Sequence, residues 1–245
     1  MQYFADTVET IDAGVGFSMY DGTHLFWLML AAVSIFANCL LYRKLGSTGR
    51  SRWKKIIAAL IVADELFKIG MLVIGGNYLP KYLPLHLCSI NIFLIAAHAW
   101  KPSDTIGSFL YTVCIPGALA ALLFPSWTEL PAANFMHIHS FTVHILLVMY
   151  PMVLAVNSEL KIDPRLIPKC LLLLVGLAMV ALGANLAWDT NFMFLMEAET
   201  GNPLAVFEQL FGNHLIGFPI LIAAVLAVMY VPVLLYRKRK RKTSV

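Results

Sequence analysis

Histidine is the residue type best placed to do chemistry in this chain. Six of the seven, His24, His86, His137, His139, His144 and His214, fall in the same half of the apolar segments that carry them; His98 falls in the other. Imidazole changes protonation near neutral pH, so it serves as general base, proton carrier or metal ligand. Several at one depth point to a shared polar cavity. On a helix, His137, Ser140 and His144 share one face (i, i+3, i+7), while His139 points away. His137 and His144 then stand about 10 Å apart along the axis, too far to share one metal ion. There is no HExxH, so a zinc site would need histidines from different helices, and no metal or other cofactor is expected.

Cys88 and Ser89 are the candidate nucleophiles. With His144 or His86 as base, either would attack an ester; no GxSxG elbow is present. On a straight helix His86 and Ser89 share a face, and Cys88 and Asn91 share nearly the opposite one. Pro84 precedes both pairs, where it can distort the first turn. Asn185, Asn213 and His214 add hydrogen-bonding groups at similar depth. A separate constellation is Asp64, Glu65 and Lys68. Asp64 and Lys68 can pair at i,i+4, and Lys68 lies i+3 from Glu65. A charge at bilayer depth costs at least ~2.5–3.5 kcal/mol, so these three are either a structural ion cluster or part of a proton or ion path.

The elements that must position these groups are membrane helices. Of 245 residues, 60% are hydrophobic and 13% charged, and mean hydropathy is +0.76. Soluble domains carry about 25% charged residues. Apolar runs near the length of a span recur along the whole chain, whereas a β-barrel would show short alternating segments. The reading is an all-α polytopic bundle of about seven helices, near residues 22–42, 54–76, 82–100, 104–125, 133–156, 165–188 and 205–236. Residues 1–21 form a short N-terminal segment, 22–236 the transmembrane domain and 237–245 a basic tail. The four cysteines (39, 88, 114, 170) lie inside apolar segments, which excludes a disulfide scaffold. The first 20 residues are too acidic for a cleavable signal peptide. Helix seven has no lysine before Lys238, which excludes a retinal Schiff base there.

Charge sets the expected orientation. Of 18 basic residues, all but Lys68 and Lys81 fall in the 43–55 loop, at Lys101, at 161–169, or in the tail from Arg237 to Lys242. With seven spans these segments lie on one side, and the positive-inside rule puts the N-terminus out and the C-terminus in. The histidines then sit in the outer half of the bilayer. The tail is placed to touch anionic headgroups, and the net charge of +4 is not a nucleic-acid signal.

Two stretches carry a resemblance. Leu83-Pro84-Leu85-His86-Leu87-Cys88-Ser89-Ile90 resembles the LPLxLCSI stretch of YwaF-like bacterial integral membrane proteins. Thr190-Asn191-Phe192-Met193-Phe194-Leu195 is similar to the N-[YF]-M-F-L that follows their sixth helix. That family in turn is similar to a vertebrate transmembrane ether-phospholipid acyltransferase that uses a Cys and a His. The resemblance implies the His role for His144, seven residues before Pro151 with Phe124-Pro125 upstream. The vertebrate Pro-Cys-His, aligned on Pro84 and His86, puts Leu85 at the Cys position and leaves Cys88 three residues away.

These readings converge on a plasma-membrane enzyme acting on lipid acyl esters, by transfer or hydrolysis, with a phospholipid or lysophospholipid as substrate. His144 is the expected base, and Cys88 or His86 the partner. Ser89, Asn91, His137, Ser140, Asn185, Asn191 and His214 are expected to line the substrate cavity. The alternatives are a proton-coupled transporter or channel using Asp64, Glu65 and Lys68, and a lipid-binding protein without chemistry.

Overall fold

A computed structural model describes residues 3–198 and 203–242, with side chains to residue 235. The described residues hold helices and turns and no strand. Among the described residues nine α-helices follow one another: α1 Gly22–Lys44, α2 Ser47–Ile74, α3 Leu87–Trp100, α4 Asp104–Phe109, α5 Ile115–Leu123, α6 Phe135–Val156, α7 Ile167–Trp188, α8 Pro203–Phe211 and α9 Gly217–Lys242.

Among the described residues, six segments are long and apolar enough to cross a membrane. The seventh long helix, α2, has 28 residues, about 42 Å at the usual helical rise. Its length suffices to cross. Its composition is more polar because Glu65 and Lys68 turn into the bundle, where both are buried. Large apolar side chains on the outer surface, such as Phe36, Leu172 and Val228, are more than half exposed. Such a surface would aggregate in water and is what a bilayer requires.

The organising helix is α6, which buries 14 of its 22 residues. Asn134 caps it by accepting from the Met136 and His137 N–H groups at 2.8 and 3.3 Å. The other end of the Asn134 amide donates to Tyr3 O and Asp6 O, which ties the N-terminal segment to that end of the bundle. Helices α1, α2, α3 and α5 pack around α6. Helix α7 forms a second, smaller core with α3 through Ile90, Ala181, Ala184, Phe192 and Met193. Helix α9 docks through Tyr230, whose hydroxyl meets Thr112 Oγ1 at 2.8 Å and Ser108 Oγ at 3.3 Å.

Several expected boundaries move. The loop of 43–55 shrinks to Leu45-Gly46, because Arg50, Arg52, Lys54 and Lys55 ride on the opening turns of α2. Charged side chains compete little with helical hydrogen bonds once they clear the hydrocarbon. The third helix starts at Leu87, not 82: Pro84 favours extended backbone before it, and only a 3-10 turn, Pro80–Tyr82, precedes. Helices α4 and α5 form one span broken by a π-turn at Leu110–Cys114. Pro116 lacks the N–H that would bond the Thr112 carbonyl, and the π-turn absorbs the defect. The helix expected at 205–236 splits into α8 and α9 at Gly212, which has φ +68°, and Asn213. Residues 237–242 continue α9 as backbone, while the side chains of the basic tail and all of 243–245 lie outside the described residues.

One end of the bundle gathers the basic loops. Glu159 accepts from Tyr42 Oη at 2.7 Å and from Arg50 and Lys54, each at 3.1 Å, and Lys161 meets Asp104 at 2.9 Å. Partial burial works against its ionised form, yet these hydrogen bonds hold the Glu159 carboxyl below its ordinary range. At the other end, Glu9 pairs with Lys81 and accepts from Tyr82 Oη at 2.8 Å.

Candidate functional site

The histidines separate into ties and free groups. His24 accepts from the Tyr20 N–H through Nδ1 and donates to Leu122 O through Nε2, both at 2.8 Å. His137 donates through Nδ1 to Leu130 O at 3.0 Å, and its Nε2 accepts from Trp27 Nε1 at 2.9 Å. His214 donates to Phe194 O at 3.1 Å, from the 3-10 turn that opens the span His214–Leu235 ahead of α9. His98 meets Tyr150 Oη at 2.9 Å at the opposite end of the bundle. With both nitrogens engaged, His24 and His137 hold helices together and leave no lone pair for chemistry.

His144 differs. Its Nδ1 lies 2.6 Å from Ser140 O, and since a carbonyl only accepts, Nδ1 carries the hydrogen. Its Nε2 is therefore a lone pair, and it has no hydrogen-bond partner among the described residues. The ring stacks on Trp127, centroids 5.2 Å apart and planes within 12°. Ser140 thus acts through its backbone carbonyl. Trp127, which the sequence reading passed over, forms one wall with its own Nε1 buried and unpartnered. Its place beside Phe124-Pro125 was the available signal.

Cys88 sits in the first turn of α3, half-buried. That helix has no side-chain cap, so its first-turn N–H groups remain available. No hydrogen bond joins Cys88 to His144. Cys88 packs against the main core, as does Cys114, whose thiol lies 3.4 Å from Leu147 O, one turn past His144. His86 precedes α3 in extended backbone (φ −65°, ψ 150°), so the expected helical face shared by His86 and Ser89 does not form. Its ring lies against Phe192 and Phe194, centroids 5.1 and 6.0 Å away. Ser89 and Asn91 are buried, and Asn91 Oδ1 has no partner.

Asn185 and Asn191 shape a turn instead of facing a cavity. Asn185 Oδ1 accepts from the Phe192 N–H at 2.7 Å and from Thr190 Oγ1 at 3.0 Å, and Nδ2 donates to Phe192 O at 3.1 Å. Asn191 Oδ1 accepts from the Met196 and Glu197 N–H groups. This turn drives Phe192, fully buried, between α3 and α7. Met193 and Phe194 both take positive φ (58° and 56°), conformations that cost non-glycine residues about 1–2 kcal/mol each.

The charged trio is also rearranged. Lys68 Nζ bonds Glu65 Oε1 at 2.6 Å, and the expected Asp64–Lys68 pair is not made. Asp64 instead turns to His139 of α6, whose Nδ1 lies 3.1 Å from Asp64 Oδ2 and whose Nε2 lies 3.5 Å from Glu65 Oε2. These are ion-pair distances without hydrogen-bond alignment. His139 does point away from His144, and the side to which it points is the charged face of α2. Sequence reading saw both halves of this cluster without the packing that joins them.

Together these features define a polytopic helical membrane protein with a buried site of free imidazole, thiol and charged groups. Residues 19–231 match the model of the TMEM164 family, and the chain belongs to that family. No curated protein and no solved structure matches it.

Proposed function

We propose that this protein is a membrane enzyme acting on lipid acyl esters, by transfer or hydrolysis, with His144 as general base and Cys88 as nucleophile. The observation that carries the reading is the fixed tautomer of His144: Nδ1–H tied to Ser140 O, Nε2 free. A catalytic imidazole needs one nitrogen held by an acceptor and the other open to the reacting proton. The likeness of 83–90 and 190–195 to YwaF-like bacterial proteins, and through them to a vertebrate ether-phospholipid acyltransferase, supports the same chemistry.

The steps balance on this chain's own groups. His144 Nε2 takes the Cys88 thiol proton as Sγ attacks the acyl carbonyl. The uncapped first turn of α3 offers N–H groups to the thiolate and the oxyanion. His144 returns the proton to the departing lyso oxygen, leaving a thioester. A lysophospholipid hydroxyl or water then attacks that thioester as His144 Nε2 takes its proton, and Cys88 Sγ leaves and receives that proton from His144, which restores both groups. Proton transfer between Cys88 and His144 runs directly at about 3.2 Å or through one bridging water.

The positive-inside rule puts the Glu159 end in the cytoplasm and the His144 half in the outer leaflet of the plasma membrane, with the basic tail on anionic headgroups. A proton-coupled transporter is the second reading, favoured by the buried Asp64, Glu65, Lys68 and His139 cluster. The test is purified protein in bilayers holding an isotope-labelled phospholipid and a lysophospholipid, read by mass spectrometry. Label reaching the lyso acceptor or free fatty acid is the expected result. Unchanged lipids, with proton flux in sealed vesicles lost on Asp64→Asn, would overturn the enzyme in favour of the transporter. Bound lipid that never changes, without flux, would leave a lipid-binding protein.

A further inference from the structure

The cluster between α2 and α6 has an arithmetic that the proposed reaction leaves unused. Asp64 and Glu65 each carry a negative charge, Lys68 a positive one, and a neutral His139 adds nothing, so the four sum to −1. The side chains of His139, Glu65 and Lys68 are 7%, 4% and 9% exposed, and that of Asp64 is 18% exposed. A net charge buried in a bundle within a bilayer is costly unless balanced.

The geometry of the ring makes the same demand. One imidazole nitrogen faces Asp64 and the other faces Glu65. A neutral imidazole has a single N–H, so one nitrogen would turn a lone pair toward carboxylate oxygen. Asp64 Oδ2, Glu65 Oε2 and His139 Nδ1 are all buried without a hydrogen bond. One added proton meets both needs. On the ring it gives an N–H toward each carboxylate. On Asp64 it gives an O–H toward Nδ1 while Nε2–H faces Glu65.

We propose that Asp64, Glu65, Lys68 and His139 together form a proton-binding site inside the membrane, in which one proton taken from water brings the four side chains from −1 to zero. Its neighbours are the groups that chemistry would use. His86 and Cys88 lie within electrostatic reach of Lys68, Tyr78 within reach of Glu65, and His144 within reach of His139. A neutral site adds no charge against a thiolate at Cys88, and a site at −1 works against it. His139 is on this account a positioning residue acting through charge. That link rests on the acyl-ester reading; the proton site itself does not.

Two measurements on the full chain in nanodiscs test it. The first is nitrogen-15 histidine NMR with infrared spectroscopy near neutral pH. Wild type should show His139 protonated on both nitrogens or a protonated buried carboxyl, and Asp64→Asn should remove that proton. Finding a neutral imidazole beside two ionised carboxylates overturns the proposal. The second is charge rescue. His139→Gln removes the ring that holds or orients the proton and should lower thermal stability; adding Asp64→Asn fixes the sum at zero without it and should recover it. A double variant no more stable than His139→Gln also overturns the proposal.

In the lipid assay, His139→Gln should slow turnover by about tenfold, with recovery in the double variant. If the proton is found but wild type turns over no lipid, the acyl-ester reading fails and the proton site stands.

Discussion

Replacing Asn185 by alanine should release the turn that covers His86. Asn185 is 1% exposed and holds Thr190 Oγ1 and both backbone groups of Phe192. Alanine leaves the Phe192 N–H buried with no acceptor, a cost of about 1–3 kcal/mol. The Phe192 carbonyl keeps only a long contact from the Leu195 N–H at 3.4 Å, so its loss adds about 1 kcal/mol. The left-handed backbone at Met193 and Phe194 pushes in the same direction. Local opening should become easier by about 3 kcal/mol, roughly a hundredfold in protection at 1.4 kcal/mol per factor of ten. Hydrogen–deuterium exchange of the 190–195 amides in nanodiscs reads this directly. Asn191→Ala is the control, because its partners at Met196 and Glu197 are exposed and water can replace it. Unchanged exchange in Asn185→Ala, or a loss no larger than in Asn191→Ala, would refute the reasoning.

Other outcomes follow from the same geometry. His137→Ala should destabilise the protein by about 2–4 kcal/mol, since it strands Trp27 Nε1 and Leu130 O, yet leave turnover per folded molecule far less affected than His144→Ala. A thermal melt alongside the lipid assay separates the two effects. Glu159→Ala should cost about 1–2 kcal/mol, mostly from the buried Tyr42 hydroxyl, because Arg50 and Lys54 are solvent-screened. In a melt, Glu159→Gln should lose less. At the other end, burial works against ionised Glu9, but bonds from Lys81, Thr7 and Tyr82 bring its carboxyl from 4.5 down to about 2. A lowered carboxylate stabilises the fold above its unfolded value and loses that as pH falls through its folded value. The N-terminal tie should therefore be full at pH 5 and fade between about 4.5 and about 2, followed by exchange of residues 3–17. Glu9→Gln should flatten the profile; an identical profile would contradict the assignment.

The helical class and most spans were legible because hydropathy and loop charge are local. Boundaries failed where a single backbone defect decided them. Pro84 delayed α3 to Leu87, Pro116 produced the π-turn, and Gly212-Asn213 split the last helix. The site was half legible. His144 stood out by its place before Pro151, but its tautomer depends on Ser140 O, a backbone atom no residue pattern reports. His137 and His144 look equivalent along the chain, and only Trp27, four helices away in sequence, makes the first a tie. The same limit hid His139: its role comes from α2, and a helical face names a direction without naming the neighbour.

If His144 is the base of an acyl-ester reaction with Cys88, both residues are needed for turnover. The most direct test is label transfer from phospholipid by wild type, His144→Ala and Cys88→Ala, each matched for folded yield. Wild type should transfer label and both variants should lose it. Equal turnover by folded His144→Ala would contradict that role.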